Sequence, residues 1–182
     1  MDTLVDTAPN VTAALRKLYL LRFAFAAVWA GLLFTAADSL GPLSVFLLVL
    51  YPLFDAACAV ADLRSARADG SAVRRLYVNL ALSALTVVAL ALAAASGIQA
   101  VLQVWGVWAI AAGVTQVAVG VVRRRLGGQW AMIASGSIST LAGASFVAQA
   151  GKEGATLTNL AGYALLGGAF FLVSALRLKP AV

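Results

Sequence analysis

Histidine is absent from the 182-residue chain, and cysteine occurs once, at position 58. Without imidazole there is neither His-based nucleophile activation nor a histidine metal ligand. A lone Cys58 excludes an intramolecular disulfide. Charge is also scarce, 11% of residues against 63% apolar, which leaves too little polar surface to coat a soluble globule of this size. It is scarcest between Arg75 and Arg123, where 47 residues pass without Asp, Glu, Lys or Arg. As one helix that stretch would run about 70 Å, more than twice the roughly 30 Å of bilayer hydrocarbon. It must fold back on itself. Ser96-Gly97-Ile98-Gln99 is its polar punctuation, so two spanning helices are expected over 76–95 and 100–122, joined by a tight turn.

The remaining low-charge windows, 23–37, 39–54, 126–151 and 154–176, bring the expectation to six spans in an all-α, polytopic membrane protein with a mean hydropathy of +0.96. Residues 1–15 read as a polar tail and 16–179 as one membrane domain. Arg16-Lys17 followed by an apolar run loosely mimics a secretory signal, but helix 1 has an internal counterpart and is expected to stay.

The net charge of +6 invites a nucleic-acid reading, so the placement of the thirteen basic residues matters. Eleven flank the spans on one side: Arg16, Lys17, Arg64, Arg67, Arg74, Arg75, Arg123, Arg124, Arg125, Arg177 and Lys179. The opposite loops hold only Lys152. That asymmetry is the positive-inside pattern and places both termini in the cytoplasm. The partner it implies is the bilayer, with anionic headgroups attracted to the basic loops at about 1 kcal/mol per residue, and no nucleic acid.

Internal similarity is the second signal. Arg16-Lys17-Leu18-Tyr19 returns as Arg74-Arg75-Leu76-Tyr77, an offset of 58 residues, and helix 5 opens on Arg124-Arg125-Leu126. Tyr51-Pro52-Leu53-Phe54, Trp105-Gly106-Val107-Trp108 and Ala161-Gly162-Tyr163-Ala164 are spaced by 54 and 56 residues. Three parallel two-helix repeats of about 55 residues, 16–67, 74–123 and 124–179, are expected around a pseudo-threefold axis, unlike the inverted repeats common among secondary transporters. Gly106, Gly113 and Gly120 recur every seven residues, and Ser135, Ser139 and Gly143 every four. Both patterns let a neighbouring helix approach closely, within this chain or across a homo-oligomer seam. Trp130 fits an interfacial anchor, Trp105 lies toward the outer leaflet, and Trp29 and Trp108 lie deeper.

Two charges fall inside spans. Arg22 and Asp55 lie at nearly matched depths on the first hairpin, and an Arg22–Asp55 ion pair is expected, each relieving the other's desolvation. Asp62, Asn79 and Gln116 lie toward the same face and are candidate polar neighbours. Either a structural clamp or a proton- or ligand-responsive site would use these residue types. Catalysis finds little support: Asp55 lacks a second membrane-embedded carboxylate to share a proton, Cys58 lacks a base, and neither a P-loop nor a dinucleotide motif occurs. No cofactor and no metal site is expected.

The stretch from Trp105-Gly106-Val107-Trp108 through Gly113 and Gly120 to Arg123-Arg124-Arg125, then Trp130 through Gly136 and Gly143, and Gly162 through Gly168 to Arg177, resembles the HdeD family of small six-helix bacterial inner-membrane proteins. The resemblance covers roughly residues 70–180. It implies a non-enzymatic inner-membrane protein, in some members linked to survival of acid stress, and it transfers no functional residues. The first hairpin departs from the pattern: Asp55 stands where the other repeats have Ala109 and Leu165, and Pro52 where they have Gly106 and Gly162. A small channel or transporter using the Arg22 and Asp55 region, or an accessory subunit of a membrane complex, are the alternative readings.

Overall fold

The computed structural model describes residues 7–66 and 73–178. Six long helices account for nearly all of them: α1 (Thr7–Thr35), α2 (Pro42–Ala66), α3 (Val73–Ala94), α4 (Ile98–Val122), α5 (Gln129–Ala150) and α6 (Thr158–Arg177), with a short 3-10 turn over Arg124–Leu126. Each contains a segment long and apolar enough to cross a membrane, from 19 to 25 residues. The chain is a multi-pass membrane protein. Its many exposed leucines and valines, Leu85 and Leu92 among them, form the lipid-facing surface rather than a defect of packing.

Helix boundaries follow the polar punctuation. The α3–α4 turn passes through Gly97 at φ 104°, a left-handed conformation that a Cβ would disfavour. Gly128, at φ 65°, opens α5, and a Cβ there would lie 2.6 Å from the Ser174 carbonyl oxygen. One boundary differs from the sequence reading: α1 begins at Thr7, so residues 7–15 continue the helix instead of forming a tail. Leu15, 1% exposed, packs with Tyr19, Met132 and Phe171, and Arg16 donates to the Ala175 and Leu178 carbonyls. Those contacts hold the start of the first span, Thr12–Thr35, against α5 and α6. Arg67 and Lys179 lie outside the described residues.

The helices form a closed ring in chain order, with α6 returning to pack on α1. Packing alternates around it: α2 on α3, α4 on α5 and α6 on α1 approach more closely than the two helices of each sequence-defined hairpin. The α4–α5 seam shows why. A Cβ on Gly113 would lie 2.5 Å from the Gly136 carbonyl oxygen, and one on Gly143 2.5 Å from that of Gly106. The glycines therefore let two backbones touch, within this one chain. On α5 the seam runs through Gly136, Thr140 and Gly143, bordered by Ser139. Ser135 is buried and, like Ser139, also lines a cavity in the ring interior. Gly120 meets Ile133 less tightly, at 3.0 Å.

Candidate intramembrane polar site

The ring interior is apolar and aromatic toward one end. Trp29 and Trp105 stack with centroids 5.5 Å apart, and Tyr51 and Trp108 pack against them. Trp29 and Trp105 are 1% and 0% exposed. Trp29 Nε1 donates to the Leu47 carbonyl at 2.6 Å, just over one turn before Pro52. This cluster plugs the end opposite the basic loops.

Beneath the plug the interior turns polar. Arg22 Nη1 donates to Asp55 Oδ1 at 2.8 Å, so the structure places together the two residues that depth alone had matched. Asp55 Oδ2 accepts from Asn79 Nδ2 at 2.7 Å and from Ser83 Oγ at 2.9 Å, and Trp108 Nε1 donates to that same Ser83 Oγ at 3.2 Å. The carboxylate thus has three donors from α1 and α3, which satisfies its desolvated charge. The Arg22 guanidinium also lies 5.0 Å from the Phe171 ring centroid, a cation–π contact.

Two cavities flank this ion pair and share Arg22, Asp55, Gln116 and Phe171 in their walls. The deeper one, about 50 Å³, is lined by Tyr51, Trp108, Ser135, Ser139 and Tyr163, with the Ser139 and Tyr163 hydroxyls hydrogen-bonded to each other. The other, about 70 Å³, lies toward the basic end beside Tyr19, Asp62, Arg123 and Gln129. A polar cavity needs only about 10–15 Å³ to hold a water. Both exceed that, and the Arg22–Asp55 pair, with Ala112, Gln116 and Phe171, borders both.

The sequence candidates divide. Asn79 bonds Asp55 directly, and Gln116 lines both cavities while its Nε2 donates to the Met132 carbonyl at 3.1 Å. Asp62 lines the basic-end cavity but bonds Arg123 Nη1 at 2.8 Å, not Arg22. Arg123 was expected among the loop cations; it is 6% exposed and makes a second buried ion pair. Sequence reading also missed Ser83, Trp108, Tyr163 and Gln129. Asp62 and Arg123 close the basic ends of α2 and α4, so matched depth could have paired them as it paired Arg22 with Asp55. Comparison with known protein families, with characterised proteins and with solved structures finds no match for this chain.

Proposed function

We propose that the chain is a non-enzymatic bacterial inner-membrane protein of HdeD type that contributes to acid or envelope stress tolerance, with both termini in the cytoplasm. The observation that carries this reading is the Arg22–Asp55 ion pair held between two water-sized polar cavities inside a six-helix ring. Intramembrane ionisable residues are costly and are kept where they serve a site. A charged pair with cavities beside it in the middle of a bundle supports a functional site over a purely packed core. The basic loops support the orientation.

Deleting the chain from its host should lower survival of an acid challenge. The wild-type chain should restore it and an Asp55→Asn variant of equal abundance should not. Equal survival of all three strains would remove the stress role. The twin cavities also favour a second reading, a small channel or transporter. Proteoliposomes would show proton or solute flux lost on Asp55→Asn if that reading holds, and no flux at any pH if it does not.

Orientation has its own test. Cys58 is buried, so added cysteines report with little background. An impermeant maleimide applied outside intact spheroplasts should label Lys152→Cys, and should label Arg125→Cys only after permeabilisation. The reverse pattern would invert the topology.

A further inference from the structure

Gln103 lies five residues into α4, about 7.5 Å along the helix from Ile98. The span of 25 residues is about 37 Å long against roughly 30 Å of hydrocarbon, so the Gln103 backbone sits inside the apolar layer. Its side chain is exposed and makes no hydrogen bond among the described residues. Exposed Ser137, Ser145 and Asn159 differ: Ser137 donates to the Ile133 carbonyl, Ser145 accepts from Gln149, and Asn159 donates to Gln149. Gln103 instead forms part of a lipid-facing groove of about 360 Å³ between α3 and α4, with Leu85, Ala89, Val107 and Trp108. An amide left bare in hydrocarbon is costly, so this one calls for a polar partner from outside the chain.

Depth and chemistry together select that partner. It must reach the level of Gln103 in the membrane, and it must offer both a donor and an acceptor, because a primary amide presents both. Lipid tails offer neither. A second copy inserted in the same sense meets both conditions by construction, since a two-fold axis along the membrane normal brings the partner's Gln103 to the same height. We propose that the α3–α4 face is a homodimer interface, in which each Gln103 amide donates to the side-chain carbonyl of the partner's Gln103. Leu85 and Val107, 69% and 61% exposed, supply the apolar contact beside it. The glycine seam of α4 is closed on α5 of the same chain, so pairing uses a face that the glycines leave free. The inference does not depend on the stress reading, since it rests on Gln103, not on Asp55.

Single-molecule photobleaching of the full chain in liposomes, labelled at Lys152→Cys and read across protein-to-lipid ratios, tests it. Two-step bleaching should rise with density and saturate. Gln103→Leu should weaken pairing by about threefold to thirtyfold, the range that interhelical side-chain bonds carry in lipid, and Ser137→Ala should leave it unchanged. Cys58 is buried, so mild oxidation of membranes should crosslink Gln103→Cys to its copy and leave Leu141→Cys, at a site 72% exposed on α5, as monomer. Tryptophan fluorescence confirms that each variant retains the aromatic core. Single-step bleaching at every density would overturn the proposal, whether lipid headgroups or another chain then serve Gln103. Crosslinking of Leu141→Cys in place of Gln103→Cys would overturn the face, and unchanged pairing of folded Gln103→Leu would overturn the amide contact.

Discussion

Replacing Asp55 by leucine should destabilise the protein by about 3–5 kcal/mol, the usual cost of leaving the surviving member of a buried ion pair without its partner. Arg22 would lose its 2.8 Å contact, and Asn79 and Ser83 would lose the acceptor they share. The side chains of the pair are only 16% and 13% exposed, which puts it among buried rather than surface pairs. Arg22→Met combined with Asp55→Leu should recover most of the loss, because apolar residues of similar volume often replace a buried pair at little cost. Denaturant titration in mixed micelles, followed by tryptophan fluorescence, reads both effects. A single-variant loss below about 1 kcal/mol would show that the pair clamps nothing. A well-folded double variant that fails to restore acid survival would separate function from stability.

The second large effect belongs to the α4–α5 seam. Gly113→Ala and Gly143→Ala should each cost about 1–3 kcal/mol, the range for forcing volume into a packed interface. Here the obstruction is backbone, since the new Cβ would stand 2.5 Å from a carbonyl oxygen of the facing helix. Rotamer changes cannot relieve that contact, so the helices must separate. Gly31→Ala and Gly162→Ala are the controls: a Cβ at either meets nothing within 4 Å, and alanine's better helix propensity, by about 1 kcal/mol, should leave stability unchanged or raised. Thermal unfolding of the four variants in one detergent checks the contrast. If the seam and control variants melt together, close backbone approach does not hold α4 to α5. The two seam substitutions should not add fully, because both act on one interface.

The spans were legible because membrane insertion depends on long apolar runs, and the 47 uncharged residues between Arg75 and Arg123 admit only a hairpin. Observed α3 and α4 end within a few residues of the expected 76–95 and 100–122. The Arg22–Asp55 pair was legible for a related reason: only a partner at matched depth can satisfy a charge in lipid. Legibility failed where lateral neighbours decide. Seven-residue spacing of Gly106 and Gly113 signals a seam but does not say that it closes on α5 of the same chain. Nor does Ser83, one hydroxyl in a long apolar helix, announce that it joins Asp55 to Trp108. Arg123 misled because it begins a run of three arginines, so its burial against Asp62 was hidden by the company it keeps.

Ring closure through α1 and α6 constrains the order of assembly. The most extensive partner of α1 is α6, four helices further along the chain than α2, so among the six described helices α1 waits longest for its main neighbour. In that interval Arg22 would be a lone cation in lipid were it not for Asp55, which arrives on the very next helix. The early counter-charge lets α1 persist as an inserted hairpin with α2 until α6 emerges to close the circle.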